Sequence, residues 1–194
     1  TTSDNGASWS QEQNLTANPK EDECPSIFQT ANGTIWLAWS ANRTGNFDIY
    51  YKISQNNGTT WSTDKFLNYT TTDDRDPSIT QAVDGKIWFV WVRNFIGTGT
   101  FNIWYKYYYY SDSFYRWMWS GTYQVTQDSG DIFNLHPSVT GANDGKIWIV
   151  WDSDKEGGQD IYYQTRSPPL FSASDITKLI YNEEDDITPS IMQT

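Results

Sequence analysis

Carboxylates gather at four places in this chain of 194 residues: Glu21-Asp22-Glu23, Asp73-Asp74-Arg75-Asp76, Asp128 with Asp131, and Glu183-Glu184-Asp185-Asp186. A further acidic loop runs Asp152-Ser153-Asp154-Lys155-Glu156. Two chemistries suit such groups. Hard cations take oxygen ligands, which makes Asp152, Asp154 and Glu156 weak calcium candidates; no other cofactor is expected. Paired carboxylates also hydrolyse glycosidic bonds, and the quantity that decides a pair is their separation in space. Sequence spacing selects no pair, and a solvated rim of turn residues accounts for the same pattern and is the reading adopted. A second candidate surface lies between Tyr105 and Trp119, where Tyr109, Tyr115, Trp117 and Trp119 suggest an aromatic platform for a sugar or a protein partner. A strand and widened turn whose alternate rings face neighbouring blades is the preferred reading of that stretch.

Charge and composition narrow the field. The formal net charge is −11, so a phosphate backbone would be repelled and nucleic acid is excluded as a partner. No apolar run reaches the roughly 18 residues of a membrane helix, and no signal-like segment opens the chain, which reads as a mature or excised soluble piece. Cys24 is the single cysteine, so no internal disulfide forms. Sequons at Asn14, Asn32, Asn42, Asn57 and Asn68 are candidate glycosylation sites, and with the composition they suggest an extracellular or cell-surface location. Eleven Trp, thirteen Tyr and nine Phe supply a core that the sparse aliphatic residues do not.

The elements that position these groups come from an internal repeat. Pro25-Ser26, Pro77-Ser78, Pro137-Ser138 and Pro189-Ser190 start the same pattern at intervals of 52, 60 and 52 residues. After each of the first three comes Asn/Asp-Gly, then an Ile-Trp-Φ-Φ-Trp strand such as Ile87-Trp88-Phe89-Val90-Trp91, then an aromatic strand such as Asp48-Ile49-Tyr50-Tyr51. The Asn/Asp-Gly pair predicts a type I′ hairpin turn. The Ile-Trp strand is apolar on consecutive residues, so both its faces must be buried. Four-stranded antiparallel units of this length are the sequence form of a β-propeller blade. The expected fold is therefore all-β, a propeller with three complete blades at about 24–72, 76–127 and 136–182 and a fourth split between residues 1–16 and 187–194. His136, the only histidine, stands where other repeats carry Cys24, Asp76 and Thr188, and reads as a tolerant surface position.

Two stretches carry a family resemblance. Thr2-x-Asp4-x-Gly6-x-Ser8-Trp9 and Ser54-x-Asn56-x-Gly58-x-Thr60-Trp61 resemble the Asp-box of sialidase-like propellers. Ser40 to Tyr50 is similar to the repeat of TolB-type propellers. The resemblance implies structural roles: Asp4 or Asn56 caps the turn, Gly6 or Gly58 takes its corner, and Trp9 or Trp61 packs between blades. Sialidase catalysis, as the resemblance would imply it, needs converging arginines, and Arg43, Arg75, Arg93, Arg116 and Arg166 fall in loops and turns that do not bring them together. Aligned on the first unit, the two ends leave one hairpin unfilled. A longer propeller, a small closed ring with a reduced fourth blade, and a partner copy filling the gap all fit. The function expected from these observations is a non-enzymatic binding, adhesion or assembly module, whose partner is a glycan, a protein or a further copy of itself. The alternative is a glycosidase-like hydrolase using carboxylates of the acidic rim.

Overall fold

The computed structural model describes residues 5–94, 98–167, 172–179 and 184–192. Three antiparallel sheets follow one another along the chain. The first contains β1 (Asp22–Gln29), β2 (Ile35–Ala41), β3 (Asp48–Ser54) and β4 (Lys65–Phe66), hydrogen-bonded in that order. The second contains β5 (Asp73–Gln81), β6 (Ile87–Asn94), β7 (Phe101–Ser111) and β8 (Arg116–Trp119), with β9 (Tyr123–Gln124) also paired to β7. The third contains β10 (Asn134–Gly141), β11 (Ile147–Ser153), β12 (Asp160–Ser167) and β13 (Ser172–Ala173), with β14 (Thr177–Lys178) also paired to β12. These are the blades of an all-β propeller, each stepping outward from its first strand.

Residue alternation explains the packing. In β6, Ile87, Phe89 and Trp91 point into a cluster with Trp36, Ala38, Ile49 and Tyr51 of the first blade. Trp88, Val90 and Val92 point the other way, against Val139, Ile147, Ile149 and Trp151 of the third. Both faces of the strand are dry, as its consecutive apolar residues require. Close backbone approach matters here too: a Cβ on Gly141 would lie 2.6 Å from the Gln81 carbonyl oxygen.

The hairpins differ from the expected type I′ form, in which both central residues take positive φ. Gly33, Gly85 and Gly145 do so, at 84°, 84° and 86°, but Asn32, Asp84 and Asp144 do not. Their side chains cap the turn instead, each Oδ1 accepting from the backbone N–H two residues on at 3.0–3.1 Å. The Asx cap settles the turn that glycine alone opens.

Among the described residues, 5–20 and 184–192 carry no strand. The C-terminal segment nevertheless lies along the third blade: Thr188 N–H donates to Asp152 and Ile191 N–H to Ser138 Oγ, at 3.1 and 3.2 Å. The same contact joins Val139 N–H to Ser78 Oγ one blade earlier. Residues 188–191 thus occupy the first-strand position of a next blade.

Candidate functional site at the axial mouth

The first strands of all three blades break register at one point, between Glu23 and Ser26, Arg75 and Ser78, and Leu135 and Ser138. The residue before each proline sits at positive φ: Cys24 at 51°, Asp76 at 51°, His136 at 47°, and Thr188 at 54° in the C-terminal segment. Proline has no N–H to give to the ladder and therefore tolerates this bulge. A left-handed, non-glycine residue costs about 1–2 kcal/mol, and the bulge spends it on swinging four side chains toward the propeller axis. Together with their prolines they line a shallow mouth of about 310 Å³.

Chemistry in the mouth centres on Asp152. It lies on β11 opposite Leu135, at the position held by Ser40 in the first blade and Val92 in the second. Its Oδ1 is 2.9 Å from His136 Nδ1 and accepts from Thr188 N–H. Its Oδ2 has no partner among the described residues. The carboxylate is 1% exposed while the imidazole is 42% exposed. Burial pushes the Asp152 carboxyl above the usual carboxylate range, against the opposing pull of His136. His136 has the surface position its place in the repeat suggested, and its exposed ring also contacts the buried Asp152 carboxylate. On the other side of His136, Asp76 anchors its own N–H on Ser40 Oγ at 3.1 Å. Cys24 supplies no thiolate, since desolvation and then the Asp76 carboxylate push its thiol up to about 12.

Asp22, Glu23, Asp64 and Asp74 are held in structural ion pairs. Arg93 grips Asp74 with two hydrogen bonds, of 2.6 and 2.8 Å, both side chains being buried. Arg43 binds Asp22 and Asp64, and Arg75 pairs with Glu23. Trp39 Nε1 donates to Asp22, and Trp151 Nε1 to Asn134 in the equivalent place. The calcium candidates are not brought together: Asp152 faces the axis, Asp154 accepts from Phe133 N–H, and Glu156 lies 3.4 Å from Lys178. Among the described residues no group of three His, Cys, Asp or Glu is placed to hold a metal.

The aromatic candidates divide. Trp119 is not a platform residue, because it packs edge-on against Tyr51 and Phe89 between the first two blades. Tyr109 leans on Tyr107 and Tyr115 projects from the β7–β8 turn, 83% exposed. Trp117, 49% exposed, lies flat on Tyr108 at 5.2 Å.

In the turn from Ser54 to Trp61, Ser54 Oγ accepts from Gly58 N–H and Asn56 Oδ1 from Thr60 N–H, each at 2.9 Å. Asn57 and Gly58 there, like Asn5 and Gly6 near the start, take positive φ. Thr2 and Asp4 lie outside the described residues. Trp9, 73% exposed, does not pack between blades. Of the sequons, Asn14, Asn32 and Asn57 are exposed and Asn42 is half-buried. Asn68 is not an open site: its amide donates to buried Asp74 at 2.7 Å.

No protein-family profile matches the chain, and no curated protein resembles it closely enough to count as a match. Solved structures do. A protein of unknown function from Dyadobacter fermentans superposes with a TM-score of 0.66 at 14% identity, over 90% of this chain and 59% of that one. The Penicillium chrysogenum α-L-arabinanase complexed with arabinobiose gives 0.59 at 20% identity, over 80% of this chain and 50% of that one. The GH93 α-L-arabinofuranosidase of Fusarium graminearum with arabinobiose gives 0.61 at 13% identity, over 81% and 48%. The chain spans roughly half to three-fifths of the length of these structures. At such identities the likeness establishes the propeller fold. Against the expectation of a non-enzymatic adhesion or assembly module, the two neighbours named here with an assigned activity are glycoside hydrolases.

Proposed function

We propose that this chain carries glycosidase-like hydrolytic chemistry at the axial mouth, acting on a neutral glycan outside the cell. The observation that carries the reading is the Asp152–His136 pair: a buried carboxyl with a raised pKa, linked to an imidazole that opens into the mouth next to Asp76. Glycoside hydrolysis needs one group that gives a proton to the leaving oxygen and a second carboxylate that stabilises or attacks the sugar carbon. The Asp152–His136 pair suits the first role. Asp152 Oδ1 faces Nδ1 at 2.9 Å, so that Nε2 is presented for proton transfer. Asp76 suits the second. The arabinobiose in two neighbouring structures makes arabino-oligosaccharides the first substrates to test.

We also assign the Ser54–Trp61 turn to the Asp-box type, supported by its Ser54 and Asn56 caps. It is a structural element on the rim away from the mouth and carries no catalytic role.

The test is a panel of aryl glycosides and arabino-oligosaccharides with wild type, Asp76→Asn, Asp152→Asn and His136→Ala. Loss of a general acid or base costs about 10²–10⁴ in rate. Asp76→Asn and Asp152→Asn should each fall in that range, and His136→Ala should displace the acid limb of the pH–rate profile. Absence of turnover across the panel, or full turnover in both Asn variants, refutes the reading.

A further inference from the structure

A groove of about 210 Å³ opens between the first and second blades. It lies on the rim opposite the mouth, where β1 and β5 end and β2 and β6 begin. Its wall is aromatic. Trp117 stacks on Tyr108, Tyr108 meets Trp36 at 5.7 Å, and Trp36 stacks on Tyr51 at 5.7 Å with 23° between the rings. Of these rings Trp117 is half exposed, so part of its surface is open to a ligand. Asn32 and Gln55, both exposed, bring amide groups to the lip. In a protein of net charge −11, no carboxylate lines this groove, and Lys65 is its single charged residue.

We propose that this groove is a second carbohydrate site, separate from the mouth, which holds a segment of neutral oligosaccharide. Sugar rings present C–H faces that lie on aromatic faces, and their hydroxyls exchange hydrogen bonds with amides, so a site with few precise polar groups against an aromatic wall fits them. Charge selects among glycans. A uronate-bearing chain gains only Lys65 and approaches against the field of an acidic protein, whereas a neutral chain meets no such opposition. The inference does not depend on the mouth being catalytic. With the mouth active, the groove would hold a polymer to the enzyme without taking part in bond cleavage.

The experiment is tryptophan fluorescence and calorimetric titration with three probes: arabinohexaose, xylohexaose and, as an anionic control, hyaluronan hexasaccharide. A neutral hexasaccharide should bind, with affinity at least tenfold weaker in Trp117→Ala and several-fold weaker in Gln55→Ala, and unchanged in Asp152→Asn. Trp117→Phe keeps a ring on the strand and should retain most of the binding, which separates loss of stacking from loss of fold. Turnover of a small aryl glycoside should be the same in Trp117→Ala as in wild type. The proposal fails if neither neutral probe binds, if binding survives Trp117→Ala intact, if it is lost in Asp152→Asn, or if hyaluronan is the probe preferred. Failure of every turnover assay, with groove binding retained, would refute the hydrolase reading and leave this one standing.

Discussion

Replacing Arg93 by Met strips a buried carboxylate of its counter-charge while keeping most of the side-chain volume. Asp74 is fully buried, and Arg93 meets it through Nε and Nη2 at 2.6 and 2.8 Å. The guanidinium also lies 4.7 Å from the Trp104 ring centre. Two unit charges about 4 Å apart at an effective dielectric near 20 attract by about 4 kcal/mol, and removing one partner of a buried pair costs about 3–5 kcal/mol because the other is stranded. Among the described residues Asn68, which donates to Asp74 at 2.7 Å, is the other side chain bonded to that carboxylate and cannot neutralise it. For a domain of this size each kcal/mol moves Tm by about 2–4 °C, so Arg93→Met should melt roughly 6–20 °C below wild type. Asp74→Asn added to Arg93→Met removes the stranded charge and should recover at least half of the loss. Calorimetry and urea unfolding of the four proteins close the cycle. A single-mutant cost below about 1 kcal/mol, the value of an exposed pair, would refute the claim that this ion pair holds β5 to β6.

Three further outcomes follow from the geometry. The Asp152 carboxyl is raised by burial, so the folded state holds its proton more tightly than the unfolded state, and its contribution to stability falls as pH climbs from the ordinary carboxylate value toward the raised one. Melting temperature against pH should show that decline in wild type, extended to higher pH in His136→Ala and absent in Asp152→Asn; identical curves for all three would contradict it. Gly141→Ala forces a methyl group against the Gln81 carbonyl and the Ala82 Cα. Backbone cannot yield as a side chain can, so urea unfolding should report a loss of about 1–3 kcal/mol. Secretion from a glycosylating host followed by glycopeptide mass spectrometry should find sugar on the exposed Asn14 and Asn57 and none on Asn68, whose amide is held by Asp74.

The fold was legible because a repeat states the same structural demand several times. Trp88 next to Phe89, and Ala38 next to Trp39, require two buried faces, and stacked blades supply them. The hairpin form was misjudged because Asn32 and Asp84 use their side chains, not their own φ, to shape the turn. The mouth was hidden for a different reason. Cys24, Asp76, His136 and Thr188 look interchangeable in alignment, and their variety suggested tolerance; the register break that aims them at one axis appears only when β1, β5 and β10 are paired with their neighbours. The signal for Asp152 was present nonetheless. It is the one carboxylate at a position where the other two repeats hold Ser40 and Val92. Trp117 and Trp119 lie two residues apart on one face of β8, and strand direction decides that the first reaches the groove and the second the core.

The bulge before each Pro-Ser step separates what the backbone does from what the side chain does. The strained φ, the missing proline N–H and the serine contact to the next blade belong to the scaffold, while the residue ahead of proline contributes little but its functional group. Cysteine, aspartate, histidine and threonine already occupy four copies of one socket. Such sockets are addressable: the chemistry at the axis can be rewritten one blade at a time, by exchange at positions 24, 76, 136 and 188, with the blade-to-blade core left untouched.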